Sequence, residues 1–162
     1  MTVAAVVLAA GASSRYGVTP PKQAVFLPRV LAALRGLDVV VVTGAHPLEP
    51  DGVRVVQCGD WERGPGASLR CGLAALGDEV DAVLVVLADG PELDRRAVDR
   101  VIEAWQGEDA VAASYDGLRL HPVLLARAAW SRVPDEGARG IEARLVACDD
   151  LPPPGDVDTQ EA

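Results

Sequence analysis

The sequence predicts an α/β fold, a three-layer sandwich around a mostly parallel, doubly wound sheet. Three apolar runs, at residues 3–10, 37–43 and 82–88, have the length and β-branched content of strands that are buried on both faces. Segments in which apolar residues recur at helical spacing lie between and after these runs. Strand and helix therefore alternate, which is the pattern of a parallel sheet with crossover helices.

Each remaining element follows from a local pattern. Helices are predicted at residues 23–35, 66–76 and 95–106. One apolar stripe on the last helix is formed by Val98, Val101, Ile102 and Trp105. Shorter strands, bounded by loops rich in Gly, Pro and Asp, are predicted at residues 54–57, 110–114 and 144–147. Since no repeat or linker interrupts the pattern, we expect a single domain across residues 1–162.

Composition excludes several classes of partner. The net charge of −9 argues against a nucleic-acid partner, because phosphate backbones are bound by clustered Lys and Arg. No apolar run approaches the roughly 20 residues that span a membrane, and the first residues lack a basic leader. We therefore expect a cytoplasmic protein with no membrane partner. Cys58, Cys71 and Cys148 are too few for a disulfide framework or a zinc cluster and are predicted to be small buried residues without chemistry.

The loop after the first apolar run has the composition of a phosphate-binding loop. Ligands of doubly wound sheets bind beyond the carboxyl ends of the strands, so the residues after each run are informative. Small residues let backbone N–H groups approach phosphate oxygens, while Arg15 and Lys22 supply positive charge. The spacing matches neither a P-loop nor a dinucleotide-binding loop, and a tight strand–helix connection is the alternative. The residues predicted to bind nucleotide are Leu8, Ala9, Ala10, Gly11, Ala12, Ser13, Ser14, Arg15 and Lys22.

Asp89 follows the apolar run at residues 82–88 directly. Its carboxylate is expected to point from the strand end toward the crevice where the phosphates would lie, and a hard oxygen ligand there suits Mg²⁺. A strand-terminal Asp is also a common turn former or helix cap, which is the alternative interpretation. Gly44 ends the second run near the same crevice.

The first loop also carries a family resemblance. Leu-Ala-Ala-Gly-x-Ser-Ser-Arg-x-Gly, followed by Lys22, resembles the signature of the MobA-like nucleotidyltransferases, which include the enzymes that attach CMP or GMP to molybdopterin cofactors. Further similar motifs follow in order at residues 60–64, 66–73, 87–91, 121–125, 137–139 and 156–159. The resemblance thus extends along nearly the whole chain.

The resemblance implies a reaction at the α-phosphorus of a nucleoside triphosphate, with pyrophosphate as the leaving group. It implies that Arg15, Lys22 and Asp89 are the catalytic residues, since they neutralise charge on the phosphates directly or through magnesium. Asp158 would be the second metal ligand, with a solvated acidic tail as the alternative. The implied cofactor is therefore Mg²⁺.

The resemblance also implies contacts to the base and to the acceptor. Gly66 and Ser68 open a predicted helix whose spare N–H donors would contact the base or ribose, with plain helix capping as the alternative. His121 and Pro122 are interpreted as a structural turn that shapes the acceptor pocket, with a general base at His121 as the alternative. The implied donor is a nucleoside triphosphate, CTP being favoured over GTP, and the implied acceptor is a phosphorylated small molecule such as molybdopterin cofactor.

Departures from the family pattern leave the acceptor open. The glycine turn that relatives carry after the loop lysine is missing, and Leu120 stands where relatives often have Gly. Pro21-Lys22-Gln23 also resembles the methylerythritol phosphate cytidylyltransferases. The alternatives are therefore an enzyme of that kind, or a degenerate nucleotide-binding domain without catalysis.

Overall fold

A computed structural model of the chain describes residues 1–10, 22–44, 50 and 52–155, with only the backbone described for residues 22–25. Its strands are β1 (Val3–Ala9), β2 (Asp38–Thr43), β3 (Arg54–Gln57), β4 (Ala82–Leu87), β5 (Ala110–Tyr115), β6 (Leu118–Ala126) and β7 (Arg144–Ala147). Its helices are α1 (Lys22–Ala33), α2 (Pro65–Ala74) and α3 (Arg95–Ala104), with short 3₁₀ turns at Trp61–Arg63, Arg127–Arg132 and Ala138–Gly140.

The strands form one sheet in the order β3-β2-β1-β4-β6-β5-β7. Strand β6 runs antiparallel to β4 and β5, and the other neighbours are parallel. The predicted fold class, a mostly parallel sheet within an α/β sandwich, is confirmed. The short strands at residues 54–57 and 144–147 begin and end where they were predicted.

Strand β6 corrects the sequence prediction, which interpreted His121 and Pro122 as a turn. Both residues lie inside a nine-residue strand. A proline cannot donate a hydrogen bond to a neighbouring strand, so the sequence pattern did not indicate a strand here. The structure accommodates Pro122 where the pairing of β5 and β6 changes register, between Ala112 and Ser114. A two-residue turn with positive φ at Asp116 and Gly117 joins the two strands as a hairpin.

The core has two apolar layers because side chains of the buried strands alternate between the faces of the sheet. On one face, Ala5 and Val7 of β1 belong to the cluster that includes residues of α1 and α3. On the other face, Ala4 and Val6 belong to the cluster that includes α2. Gly72 lets α2 lie close to the sheet, since a Cβ there would come within 2.8 Å of a Val6 methyl carbon.

The predicted stripe on α3 is confirmed. Val98 and Val101 are fully buried, and Ile102 and Trp105 pack partly buried against the same cluster. Asp94 caps the helix by accepting a hydrogen bond from the Arg96 backbone N–H at 2.8 Å. Among the described residues, no helix is both long and apolar enough to cross a bilayer.

The topology places a crevice between β1 and β4. These strands are parallel neighbours, but the chain leaves β1 toward β2 and leaves β4 toward the opposite side of the sheet. Such a switch point is where doubly wound sheets bind their ligands. The backbone N–H of Ala88 donates to the carbonyl of Leu8 at 3.0 Å, so the two strand ends stay together up to the crevice.

Candidate functional site

Asp89 lies at the carboxyl end of β4, one residue beyond the Leu8–Ala88 hydrogen bond. Its side chain is partly exposed. The turn around it is closed by the Gly90 N–H, which donates to the Leu87 carbonyl at 3.3 Å. Asp89 is therefore part of a turn, as its alternative interpretation expects, and it also stands at the mouth of the crevice. Ala9 and Ala10 are buried at the end of the neighbouring strand.

His121 lies next to the Asp89 turn. A Cβ built on Gly90 would come within 2.6 Å of His121 Nε2, so the imidazole ring lies close against the Gly90 backbone. His121 is 9% exposed, and its carbonyl accepts a hydrogen bond from the Tyr115 hydroxyl at 3.5 Å. Burial raises the pKa of Tyr115 to about 12, so this phenol stays protonated as a donor. The fold thus brings the predicted acceptor-pocket residue His121 beside Asp89.

The last described residues also approach this turn. The backbone N–H of Glu92 donates to the Pro154 carbonyl at 2.9 Å. The carbonyl oxygen of Gly155 would lie 3.2 Å from a Cβ built on Gly90. The segment that precedes Asp158 therefore reaches the same strand end as Asp89.

Several predicted residues lie outside the described residues. They are Gly11, Ala12, Ser13, Ser14, Arg15 and Asp158, and of Lys22 only the backbone, at the start of α1, is described. Their assigned contacts stay predictions.

The start of α2 corrects one prediction. The N–H of Gly66 donates to the Asp135 carbonyl at 2.8 Å, and the amides of Ala67 and Ser68 both donate to the Gly64 carbonyl. Pro65, the first residue of the helix, has no N–H. The expectation of spare backbone N–H donors at Gly66 and Ser68 is therefore wrong, whereas the assignment of these two residues to the nucleotide site stays a prediction.

Asp135, whose carbonyl accepts from the Gly66 amide, is bound through its side chain by two arginines. Asp135 Oδ1 accepts from Arg70 at 2.5 Å and lies 3.6 Å from Arg63. The hydrogen bond from Arg70 lowers the pKa of the Asp135 carboxyl. A Cβ on Gly66 would overlap the Pro134 carbonyl oxygen, so only glycine lets this segment lie so close to the helix. The pairing joins positions 69 residues apart, which no local pattern reveals.

Trp61 is a site residue that the sequence analysis left without a role. A Cβ built on Gly44 would come within 2.5 Å of Trp61 Cγ and 2.8 Å of the Ala10 carbonyl oxygen. The indole therefore packs on the carboxyl end of β2, beside the residue from which the predicted phosphate loop leaves. Its signal was a tryptophan four residues after the end of a predicted strand, in a chain with only 4% aromatic residues.

A disulfide links Cys58, which follows β3, to Cys71 on α2, with Cα atoms 5.9 Å apart. The prediction that these cysteines carry no chemistry is wrong for this pair, whereas Cys148 is free and buried as expected. Spacing alone could not show the bond, because the two residues meet only when α2 packs on the sheet. The bond closes the segment that contains Trp61.

The site offers one described carboxylate for a divalent cation. Within the described part of the chain, no group of three or more His, Cys, Asp or Glu residues is placed to hold a metal. Asp89 supplies a hard oxygen donor at the crevice, and the chain arrives there again at Gly155. The residues present therefore fit a cation that is shared with phosphate oxygens, the usual arrangement for magnesium with nucleotides.

Comparisons with known proteins agree with this geometry. The model of the MobA-like NTP transferase domain family matches residues 5–149. The crystal structure of Rv0371c from Mycobacterium tuberculosis H37Rv is 28% identical with a TM-score of 0.82, covering 99% of this chain and 94% of that one. A structure of Rv0371c in complex with manganese is 25% identical, with a TM-score of 0.78 over 99% of this chain and 95% of that one.

A more distant similarity concerns the fold alone. The 2-C-methyl-D-erythritol 4-phosphate cytidylyltransferase of Thermus thermophilus is 23% identical, with a TM-score of 0.65 over 91% of this chain and 89% of that one. No curated protein matches the chain.

Proposed function

Because the chain belongs to the MobA-like NTP transferase domain family, we propose that it is a magnesium-dependent nucleotidyltransferase acting as one domain across residues 1–162. An oxygen of a phosphorylated acceptor attacks the α-phosphorus of a nucleoside triphosphate, the bond to the β-phosphate oxygen breaks, and pyrophosphate leaves. The observation that carries the proposal is the position of Asp89, at the end of β4 and beside the end of β1. Ligand phosphates bind at such switch points.

The chain's part in this reaction is to position the reactants and to balance charge. In the proposal, Arg15 and Lys22 bind the phosphates and offset the negative charge that grows on them. Asp89 and Asp158 would hold the cation. A divalent ion bound there supplies further positive charge to the phosphate oxygens. The manganese complex of Rv0371c supports a divalent ion, and the short chain path from Gly155 supports Asp158 as its second ligand.

The donor and the acceptor are the finer parts of the proposal. We take CTP as the donor for the following reason. The sequence resembles two classes of enzyme that use CTP, the cytidylyltransferases of molybdopterin and of methylerythritol phosphate, and only one class that uses GTP. Molybdopterin cofactor is the first acceptor to test, and His121 beside the Asp89 turn supports an acceptor pocket there. Pro21-Lys22-Gln23 makes methylerythritol phosphate the second acceptor to test.

Calorimetric titration with CTP, GTP and ATP, each with and without Mg²⁺, tests the donor. We expect CTP to bind more tightly than GTP and ATP, and we expect this tight binding to require Mg²⁺. Lys22→Ala should weaken CTP binding far more than cytidine binding, and equal losses would contradict the phosphate role. Pyrophosphate release with each acceptor then tests catalysis. Binding without release would favour the non-catalytic alternative, and no binding of any nucleotide would overturn the proposal.

A further inference from the structure

Arg119 lies at the same edge of the sheet as Asp89. Because β6 is antiparallel to β4, its first residues stand at the carboxyl end of β4, and Arg119 pairs with Ser114 near the end of β5. The partly buried guanidinium donates to the carbonyls of Ala138 and Ile141, each at 2.8 Å. Arg119 thereby fixes the Ala138–Gly140 turn against β6 at this edge.

Arg139 stands in the middle of that turn, with an exposed side chain. Burial lowers the pKa of Arg119, and the positive charge of Arg139 lowers it further. Arg119 also donates to the carbonyl of Ala138, the residue directly before Arg139, so the two arginines are neighbours at this turn. Like charges in proximity raise the free energy of the folded chain unless an anion offsets them.

No carboxylate among the described residues lies within ion-pair distance of Arg119 or Arg139. This is unusual here, because most described arginines have one, as Arg54 has Asp38 and Arg132 has Asp109. The chain has 24 acidic residues and a net charge of −9, so acidic partners are abundant. A cationic pair that lacks such a partner at the functional edge has the character of an anion-binding site.

The pair lies on the acceptor side of the site. Arg119 and His121 are two residues apart in the first half of β6, the half that lies beside the carboxyl end of β4. The His121 ring contacts the Gly90 backbone, next to Asp89. The triphosphate is expected at the end of β1. Strand β6 lies on the other side of β4, away from β1. An anion at Arg139 would therefore belong to the second substrate.

We infer that Arg139, held in place by Arg119, binds the phosphate group of the acceptor. Arginine suits this role, because its planar guanidinium donates two parallel hydrogen bonds to phosphate oxygens. Arg139 is the binding residue and Arg119 is a positioning residue. The inference rests on the proposed transferase function and adds to it the group that selects phosphorylated acceptors.

Steady-state kinetics of Arg139→Gln test the inference in a functioning enzyme. We expect the KM for the acceptor to rise roughly 10- to 100-fold, as for the loss of a charge-assisted hydrogen bond, with the KM for CTP unchanged. Arg139→Lys should recover part of the loss. Arg119→Gln should raise the same KM. Arg119→Lys should also raise it, because a lysine cannot replace the two hydrogen bonds to the carbonyls of Ala138 and Ile141. Arg132→Gln removes an equal charge at the opposite end of β5 and serves as the control.

A second measurement separates the inference from the proposed function. The side-chain Nε–H signals of arginine are followed by NMR while methyl phosphate is added to protein saturated with CTP and Mg²⁺. We expect the Arg139 signal to shift with saturation, in wild-type enzyme and in Arg132→Gln. A shift without turnover would support the anion site and overturn the transferase proposal. Normal turnover with an unchanged acceptor KM in Arg139→Gln would overturn the site alone, as would the lack of any Arg139 shift.

Discussion

Trp61 and Gly44 are in direct contact, and the contact leaves no room for a methyl group on Gly44. A Cβ there would come within 2.5 Å of Trp61 Cγ and 2.8 Å of the Ala10 carbonyl oxygen. The end of β2, Trp61 and the start of the predicted phosphate loop are therefore packed directly against one another. We expect any change that separates them to weaken nucleotide binding.

Gly44→Ala is expected to lower the free energy of unfolding by about 1–3 kcal/mol, the usual cost of overpacking, and to weaken CTP binding. Adding Trp61→Ala to Gly44→Ala should relieve only part of this overpacking, because the new methyl group still meets the Ala10 carbonyl oxygen. Urea unfolding and calorimetric titration measure the two effects. Gly59→Ala is the control, since a Cβ at Gly59 meets nothing within 4 Å. Equal behaviour of the two alanine variants would refute the role of the contact.

Asp89→Asn is expected to reduce Mg²⁺-dependent pyrophosphate release by at least about 100-fold, because the cation loses a charged ligand. The fold should keep nearly its native stability, since the side chain is partly exposed. Kinetics at several Mg²⁺ concentrations and a thermal unfolding curve measure both. Glu92→Gln removes the same charge three residues later and should keep activity. Wild-type turnover in Asp89→Asn would remove this residue from the metal site.

Reduction of the Cys58–Cys71 bond is expected to lower the free energy of unfolding by about 3 kcal/mol, because the cross-link restricts the unfolded chain. Urea unfolding with and without dithiothreitol measures the change. The double variant Cys58→Ser/Cys71→Ser should match the reduced protein and ignore the reductant. A wild-type curve that does not respond to dithiothreitol would show that the bond does not form. Alkylation of free thiols directly in lysed cells would show its state at the predicted cytoplasmic location.

Acid should weaken the contact between Asp150 and α3. Arg100 donates to Asp150 Oδ1 at 2.7 Å, and this hydrogen bond lowers the pKa of Asp150 to about 2. A carboxyl whose pKa is lowered by folding stabilises the protein above its ordinary pKa of about 4, and this stabilisation is lost as the pH falls toward 2. Asp150→Asn should therefore unfold at lower urea than wild type at pH 7.

The difference between Asp150→Asn and wild type should shrink between pH 4 and pH 2, as measured by urea midpoints across that range. Asp78→Asn, on the exposed turn between α2 and β4, is the matched control and should follow the wild-type curve. A difference that persists unchanged at pH 2 would mean that the Arg100 contact is not what Asp150 contributes.

Local patterns predicted the buried parallel strands well. Their apolar runs are continuous because both faces are covered, and Asp89 stands where such a run ends. The sequence could not reveal features that depend on distant residues. The Gly66 amide meets Asp135 and Cys58 meets Cys71 only after the layers have packed. Strand β6 was missed for another reason, since Pro122 looks like a break unless the change of register is known.

Strand β6 also sets the width of the functional edge. By lying between β4 and β5, it places them two strand spacings apart, about 9.6 Å instead of about 4.8 Å. In the function that we propose, β1 and β4 form the half of this edge that binds the nucleotide, and β6 and β5 form the half that binds the acceptor. We therefore expect substitutions in the 115–118 hairpin or the 138–140 turn to change acceptor binding without changing the geometry of β1 and β4. On this proposal, the specificity for the acceptor and the binding of the nucleotide depend on separate strands of one sheet.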